Sequence, residues 1–247
     1  NTEAFASPNN ILAVEYLRAL ASIAPGISPI AVPRTGAAHD APCACAETGF
    51  ASASALREAA ERCDMLLLRS AAPAQVAAEI MALHAPKSAA HLSDAILYAL
   101  RREARTALAS LPDVSEGLEN VLYEKARSCT DYPAFLAAVK TKRYTLARLR
   151  RISMHALLGV DKAFFARHPA PRYLRVLGVR RDALALLSAL SERASLPVVT
   201  GYQDYAALDG MAKEQFALDL FAGELLSMAA PAPEAASSEF SRPLLIV

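Results

Sequence analysis

The chain has 247 residues, 54% of them hydrophobic, and a formal net charge of only +1, so it is long enough for one large or two modest domains with buried cores. No apolar run reaches the roughly 18 to 20 residues needed to cross a bilayer, and the N-terminal sequence lacks the pattern of a secretion signal. The four cysteines match no zinc-binding spacing beyond the lone Cys43-x-Cys45, so we expect no resident metal. We also expect a cytoplasmic protein without a membrane partner.

The first part of the chain predicts a helix, a strand and a second helix. Helical periodicity runs over 9–23, the short apolar segment 27–33 has the partly β-branched content of a strand, and a serine-rich stretch opens a helix over 51–63. This order is typical of the end of an α/β nucleotide-binding domain. We assign that partial domain to 1–66.

The rest of the chain predicts mostly helices. We expect a helical domain over 67–168 and a small α/β extension over 169–247, so the predicted fold is mainly α with a minor β component (α+β). The predicted helices cover 73–84, 91–109, 115–127, 131–139, 144–158 and 182–193. Short strands are predicted over 196–200 and 243–247, and an exposed connector over 231–243.

Positive charge is concentrated in one segment. Residues 140–184 hold twelve Lys and Arg against two acidic residues, Asp161 and Asp182, whereas the segments on either side are net acidic. Such an asymmetric charge distribution attracts a polyanion, and nucleic acid is the commonest polyanion in the cytosol. A solvated helix face that happens to be basic is the alternative.

The helix predicted over 144–158 separates its charged and apolar side chains, because successive residues are about 100° apart around a helix. The outward group, together with the residues just before the helix, consists of Lys140, Lys142, Arg143, Arg148, Arg151 and His155. The opposite, apolar sector consists of Leu146, Leu149, Ser153, Ala156, Leu157 and Val160. The pattern predicts a helix that docks on a core and holds its cations outward.

Four residues near this helix have narrower predictions. Tyr144 either stacks on an unpaired base or packs on its own protein. Arg150 lies at the edge of the apolar sector, where an internal ion pair is expected, and Gly159 ends the helix. Glu116 is interpreted as a charge at a helix N-terminus, within reach of the basic helix.

Four stretches resemble a known family. SPNNILAVEYLRAL, ASASALRE, VSEGLEN and KTKRYTLARLRRISMHALLGV occur in the order and at the spacings of the tRNA(Met) cytidine acetate ligase family. The similarity runs from about Ser7 to the final RPLLIV and is patchy after residue 160. Members of that family are nucleotidyltransferase-like enzymes with a Rossmann-like domain. Because they acetylate a tRNA, the resemblance implies that the expected polyanion is tRNA.

One family motif is missing from this sequence. Members begin with a half that contains a His-x-Gly-His-type phosphate motif in an NPFHNGH setting, and the five histidines here do not have that spacing. The chain thus resembles the C-terminal two thirds of the family. We expect it to be either a fragment of a longer protein or a degenerate remnant, and no catalytic residue is identified.

The resemblance implies an ATP site of five residues. Asn9 and Arg34 match the asparagine and the arginine that contact ATP in the family, where a guanidinium offsets negative charge as an adenylate forms. Ser52 and Ser54 resemble the hydroxyls of a Ser/Thr-x-Ile-Arg motif that hold phosphates at a helix N-terminus, and Arg57 points the same way.

Each of these assignments has a structural alternative. Asn9 or its neighbour caps the first helix, Arg34 forms a local ion pair, and one of the two serines caps the second helix. His39, in a loop that resembles a family segment, is placed at the rim of the active site as a substrate-orienting group. The histidines expected to be structural or exposed are His84, His91 and His168.

The family resemblance also implies a two-step reaction. Acetate attacks the α-phosphorus of ATP, which magnesium accompanies, and acetyl-adenylate forms with release of pyrophosphate. The exocyclic amine of the wobble cytidine of elongator tRNA(Met) then attacks the acetyl carbonyl and expels AMP. The residues implied to contact tRNA are Lys140, Lys142, Arg143, Tyr144, Arg148, Arg151 and His155.

Two other functions stay open at this point. The chain is an RNA-binding remnant without chemistry in one of them. In the other it belongs to an adenylyltransferase that acts on a small metabolite, and the basic segment serves oligomer contacts or phosphate-rich substrates. The sequence leaves the oligomeric state open.

Overall fold

The computed structural model describes residues 8–32, 51–82, 87–230, 235 and 243–247. The chain divides into two compact units, Asn1–Ala82 and Leu83–Val247. Across the described residues the structure is mainly helical, with four strands of two residues each. This confirms the predicted mainly α fold with a minor β component.

The first unit contains four helices in its described residues. The first two confirm the helices predicted over 9–23 and 51–63, and the small buried core is made of alanines and one leucine, Leu68. The first helix leaves Leu12 and Tyr16 exposed. The helices are α1 (Pro8–Ile23), α2 (Ala53–Glu61), α3 (Met65–Ala71) and α4 (Ala74–Ala82).

The strand predicted over 27–33 is wrong in the part that the structure describes. Residues 27–32 form no strand, and Ile30 and Val32 are exposed. Proline lacks the N–H that a ladder needs, and Pro29 interrupts this segment. The described residues of the first unit also contain no strand with which it could pair.

The second unit begins with a helical bundle. The helix predicted over 91–109 is two helices, Ser93–Arg102 and Arg105–Ser110, because residues 103 and 104 are extended. The first of them packs on the basic helix, Leu146–Leu158, and the second on the helix Leu118–Ser128. The bundle helices are α5 (Ser93–Arg102), α6 (Arg105–Ser110), α7 (Leu118–Ser128), α8 (Tyr132–Val139), α9 (Leu146–Leu158) and α10 (Lys162–Arg167). Their shared core includes the fully buried side chains Ile96, Leu100, Leu118, Phe135, Leu149 and Ile152.

The second unit continues into a small α/β element. Its strands are β1 (Leu174–Arg175), β2 (Gly178–Val179), β3 (Val198–Val199) and β4 (Leu245–Ile246), and its helices are α11 (Leu184–Arg193), α12 (Tyr202–Ala206) and α13 (Gly210–Met228). β1 pairs in parallel with β3, and β2 pairs in parallel with β4. The strands predicted over 196–200 and 243–247 are therefore present in shorter form. The predicted connector lies outside the described residues except for 235 and 243.

Candidate nucleic-acid interface

The basic helix α9 is fixed by its ends and by its apolar face. Thr145 caps its N-terminus and accepts a hydrogen bond from Arg148 N at 3.4 Å. The helix ends at Gly159, whose φ of 69° is a left-handed conformation that residues other than glycine rarely adopt. Leu149 and Ile152 are fully buried, and each contributes about 1.5 to 3 kcal/mol of hydrophobic stabilisation. The predicted docking of α9 on a core is confirmed.

The cationic residues before α9 lie in a tight turn. Thr141 N donates to Tyr144 O at 3.3 Å, and Tyr144 N donates to the Thr141 hydroxyl at 3.1 Å. Lys140 and Lys142 are exposed, and neither side chain makes a hydrogen bond or ion pair within the described residues. These two ammonium groups are available to an anion.

Tyr144 is half-buried and packs against the bundle core. The guanidinium carbons of Arg143 and Arg148 lie 5.8 and 5.4 Å from the centre of its ring. Both distances are within the range of a cation–π contact. The structure therefore has the self-packing arrangement that was one of the two interpretations of this residue, and the ring orients two arginines.

The outward arginines of α9 contact a short loop before α7, residues 113–117, which we call the acidic turn. Arg148 Nε donates to the Asp113 carbonyl and Arg148 Nη2 to the Ser115 hydroxyl, both at 2.8 Å. Arg151 Nε donates to Asp113 Oδ2 at 2.8 Å. Arg143 forms an ion pair with Glu116, which confirms the predicted proximity of Glu116 to the basic segment.

The acidic turn has an unusual backbone. Asp113 and Glu116 have positive φ values of 65° and 60°, a conformation that costs about 1 to 2 kcal/mol for residues other than glycine. Val114 is buried in the core, and Lys162 Nζ donates to its carbonyl at 2.8 Å. The strain is thus offset by an apolar anchor and by cationic contacts from α9 and α10.

His155 lies on the same face of α9 but is half-buried. Its ring meets Phe165 edge-on, with centroids 5.6 Å apart. Burial lowers the pKa of His155, and Arg151 lowers it further, whereas Asp113 acts in the opposite direction. The imidazole is therefore neutral at pH 7 and supplies a ring surface or a hydrogen bond instead of a positive charge.

The cations that follow α9 are partly neutralised by carboxylates inside and outside the basic segment. Arg167 pairs with Glu214 at 3.1 Å, and Arg180 pairs with Asp182 at 2.5 Å. The basic segment is therefore less positive in space than in sequence. Within residues 140–184, the cations whose side chains make no hydrogen bond or ion pair with a described residue are Lys140, Lys142, Arg150, Arg172 and Arg181.

Arg150 was expected in an internal ion pair, and that prediction is wrong. Its side chain is exposed and makes no ion pair with any residue that the structure describes. Helical phase placed it near the apolar sector, but a long arginine side chain at the edge of a buried stripe extends to water. Sequence reasoning also missed Asp113 as the partner of two arginines, because the contact joins residues 35 and 38 positions apart.

The histidines expected to be structural have that role where they are described. His91 Nδ1 lies 2.6 Å from the Ala229 carbonyl. His168 is buried, and its Nε2 lies 2.9 Å from Glu214 Oε2. His84 is outside the described residues.

The residues expected to contact ATP belong to the first unit. Asn9 is exposed in the first turn of α1, which begins at Pro8, so neither Asn9 nor its neighbour is the capping residue. Ser52 is 1% exposed and caps α2, with its hydroxyl accepting from Ala55 N at 3.1 Å. Arg34 and His39 lie outside the described residues, as do Cys43 and Cys45.

Ser54 and Arg57 are brought together on the first turns of α2. Arg57 Nη2 donates to the Ser54 hydroxyl at 3.4 Å, and Arg57 is exposed. The pair presents a hydroxyl and a guanidinium to solvent near a helix N-terminus, where the helix dipole favours an anion. Ser52 contributes to the same region by holding the helix end in place.

The described residues contain neither a candidate membrane span nor a candidate metal site. No helix there combines the length and apolar character of a membrane span. No three His, Cys, Asp or Glu side chains among the described residues come close enough together to hold a metal ion.

Known proteins resemble this chain over nearly its whole length. A family model described as HIGH Nucleotidyl Transferase matches residues 1–240. A tRNA(Met) cytidine acetate ligase from a Thermoanaerobacter species is 32% identical over 242 residues, which cover 96% of this chain and 59% of the relative. A protein of the same name from Caldanaerobacter subterraneus is 32% identical over 226 residues, 90% of this chain and 55% of the relative.

Solved structures give the same picture. The apo crystal structure of Thermotoga maritima TmcAL has a TM-score of 0.85 and 28% identity, and the match covers 98% of this chain and 60% of that one. A second crystal form, bound with alpha-thio ATP, has a TM-score of 0.84 and 26% identity with the same coverage. The chain thus spans about three fifths of the length of the relatives it matches.

Proposed function

The chain belongs to the HIGH nucleotidyl transferase family, and we propose on this premise that its intact gene product is an ATP-dependent tRNA(Met) cytidine acetate ligase. The observation that carries the proposal is the 32% identity to a ligase of that name over 96% of this chain. The ATP analogue held by the Thermotoga maritima structure supports nucleotide binding. The cationic surface of α9 supports an RNA substrate.

The proposed tRNA surface is the basic helix with the turn before it. The ammonium groups of Lys140 and Lys142 are exposed and make no hydrogen bond or ion pair with a described residue. Arg143, Arg148 and Arg151 bind the acidic turn in the structure, and phosphate oxygens would compete with its carboxylate, carbonyl and hydroxyl oxygens for the same donors. Tyr144 orients two of these arginines, and neutral His155 completes the face.

The proposed ATP site belongs to the first unit. Ser54 and Arg57 would contact phosphates at the start of α2, and Ser52 would hold that end of the helix. Asn9, exposed in the first turn of α1, would contact the nucleoside without adding charge. Arg34 would offset charge at the reacting phosphate and His39 would orient the substrate, by the family resemblance alone.

The proposed domain organisation follows these roles. The nucleotidyltransferase-like part spans 1–66, the helical tRNA-binding domain spans 67–168 and the α/β extension spans 169–247. We assign the protein to the cytoplasm, where its RNA substrate is found.

The proposed chemistry transfers an acetyl group in two steps. A carboxylate oxygen of acetate attacks the α-phosphorus of ATP, pyrophosphate leaves, and acetyl-adenylate forms. The N4 amine of the wobble cytidine attacks the acetyl carbonyl, loses a proton, and AMP leaves. Magnesium enters the proposal as the ion that accompanies the ATP phosphates. The protein contributes by positioning and charge stabilisation.

Acetate-dependent exchange of pyrophosphate into ATP, followed by acetyl transfer to purified elongator tRNA(Met), tests the proposal on the intact gene product. We expect both activities. Binding of tRNA without exchange of pyrophosphate into ATP would indicate an RNA-binding remnant and refute the ligase. Exchange with a different small acid, and no acetyl transfer to tRNA, would replace it with an adenylyltransferase acting on a small metabolite.

A further inference from the structure

The α/β element of the second unit encloses a cavity that the proposed function does not use. Its volume is about 520 Å³, within the range of sites that hold small organic groups. The walls include residues from or beside all four strands, together with Phe216 and Leu220 of α13. The cavity is large enough for a nucleoside-sized group.

The cavity lies where parallel strands end. β1 and β3 run in parallel and finish at Arg175 and Val199, and Thr200, Gly201 and Tyr202 continue the wall directly after β3. In α/β sheets, ligands bind outside the carboxyl ends of the strands. This position favours a binding site over a packing defect.

The walls are suited to an aromatic ring. Phe216 is buried and Tyr202 contributes a second ring to the lining. The Arg175 guanidinium lies 5.4 Å from the centre of the Phe216 ring. Unpaired bases stack on such aromatic and guanidinium surfaces with little dependence on sequence.

Two arginines without a described side-chain partner are hydrogen-bonded through their backbone N–H groups to residues next to the lining. The backbone N–H of Arg172 donates to the Gln215 side chain at 2.9 Å, next to Phe216 of the lining. The backbone N–H of Arg181 donates to the Val247 carbonyl at 2.6 Å, next to Ile246 of the lining. Both side chains are exposed and make no hydrogen bond or ion pair with any residue in the described ranges.

The nearby carboxylates do not offset these arginines. Asp204 accepts hydrogen bonds from Thr200 N and the Thr200 hydroxyl, both at 2.8 Å, and from Gly201 N, and these bonds lower its pKa. Asp219 accepts from the Tyr173 hydroxyl at 2.5 Å and lies 4.0 Å from Arg175. The two carboxylates thus bind other groups, and neither forms an ion pair with Arg172 or Arg181 in the described residues.

We propose that this cavity binds one unstacked nucleotide of an RNA, with its base between the Phe216 and Tyr202 walls and its phosphates at Arg172 and Arg181. The inference rests on the proposed function, in which tRNA is the substrate, and adds a second point of contact outside the basic helix. Such a contact needs a single-stranded or splayed nucleotide, because bases within a duplex are stacked.

Leu177→Glu tests the cavity directly. Leu177 lines it and is 67% exposed, so a glutamate there is compatible with folding and opposes a phosphate. Leu186→Glu is the matched control, because Leu186 is 70% exposed and is not part of the lining. Arg172→Ala with Arg181→Ala, and Arg193→Ala as its control, test the flanking charge without altering the walls.

The probe is a fluorophore-labelled single-stranded RNA oligonucleotide, measured by anisotropy with the intact gene product, and circular dichroism verifies the fold of each variant. We expect Leu177→Glu to weaken binding at least about fivefold. The double arginine variant should reduce the slope of log Kd against log salt concentration by about 0.7 to 1.4, which corresponds to the loss of one to two phosphate contacts. The controls should bind as the wild type does. Unchanged binding by both cavity variants would overturn the proposal, and so would equal weakening by the controls.

The acetylation assay separates this inference from the proposed function. Oligonucleotide binding that depends on the cavity, in a protein that does not acetylate tRNA, would leave the cavity proposal standing and refute the ligase. Full acetylation with unchanged tRNA affinity in both cavity variants would refute the cavity proposal alone. Capture of a peptide or a free small metabolite in place of RNA would likewise overturn it.

Discussion

Arg151 Nε donates a hydrogen bond to Asp113 Oδ2 at 2.8 Å, and this contact connects the exposed face of α9 to the acidic turn. Arg148 binds the carbonyl of the same residue, Asp113, at 2.8 Å. Two arginines with the helical phase expected of an RNA-binding face are therefore already bound to the protein. In the proposed function, an RNA phosphate at this position would replace an internal partner and would not fill an empty site.

Asp113→Asn tests this competition. Asparagine removes the carboxylate charge and still tolerates the positive φ of 65° at this position. We expect tRNA affinity at low salt to rise by up to about fivefold, because an exposed ion pair is worth about 1 kcal/mol or less. The free energy of unfolding should fall by no more than about 1 kcal/mol. Filter binding and urea denaturation measure the two effects.

Glu103→Gln is the control for this substitution. Glu103 forms an exposed ion pair with Arg102 at 2.8 Å, outside the proposed surface. Its neutralisation should change stability by a similar amount and leave tRNA affinity almost unchanged. A rise in affinity as large as that of Asp113→Asn would indicate a general effect of net charge and contradict the competition.

The unpaired cations should give the salt dependence of tRNA binding. Lys140→Ala and Lys142→Ala each remove one exposed charge without a described internal partner. Each should weaken binding and reduce the slope of log Kd against log salt concentration by about 0.7 to 0.9. Thermal stability should stay within about 0.5 kcal/mol of the wild type.

Lys125→Ala is the matched control for the lysines, since Lys125 is an exposed lysine of α7 outside the proposed surface. A slope that changes equally in the control and in the two lysine variants would show that the attraction is distributed over the whole protein.

The anchor of α9 in the core can be tested independently of RNA. Ile152 is fully buried in the bundle, and replacing a buried isoleucine with alanine costs about 2 to 5 kcal/mol. Chemical denaturation of Ile152→Ala should show a loss in this range. A loss below about 1 kcal/mol would mean that α9 does not contribute to the core as described.

Much of the bundle could be predicted from the sequence, because helical periodicity and capping residues are local. The N-terminus of α9 at Thr145 and its end at Gly159 belong to this class. The longest helix, α13 (Gly210–Met228), was not predicted, since its buried residues do not form a continuous apolar stripe and include Ser227. The expected strand over 27–33 failed because strand formation depends on a partner that local sequence does not reveal.

The candidate site divides in the same way. The position of Arg148 and Arg151 on one helix face could be predicted, because successive residues are about 100° apart around a helix axis. Their hydrogen bonds to the acidic turn could not be predicted, because they join segments that are distant in sequence and depend on the positive φ of Asp113. The half-burial of His155 depends in the same way on Phe165 of the next helix.

His155 should make stability depend on pH. Its pKa in the folded protein is lowered from 6.5, chiefly by burial, so the unfolded chain binds the proton more tightly. The stabilisation is complete above about pH 6.5 and is lost as the pH falls from there through the folded-state pKa. Asp113 and Arg151 face the same ring and are unchanged in the comparison. His155→Gln should reduce the loss of unfolding free energy between about pH 7 and about pH 5.5.

Urea denaturation at these two pH values, for the wild type and for His155→Gln, measures this dependence. Phe165→Leu is a companion variant, because it loosens the packing around His155 and should bring the pKa of the imidazole closer to its ordinary value. Equal losses of stability in wild type and His155→Gln on acidification would exclude His155 as the source.

The central claim is that the intact gene product acetylates the wobble cytidine of elongator tRNA(Met). Nucleoside mass spectrometry of that tRNA, after incubation with the protein, ATP and acetate, measures this directly. We expect N4-acetylcytidine at the wobble position only when protein, ATP and acetate are all present, and less of it when Lys140 and Lys142 are replaced by alanine. Unmodified cytidine in the complete reaction, with a folded protein that binds the tRNA, would contradict it.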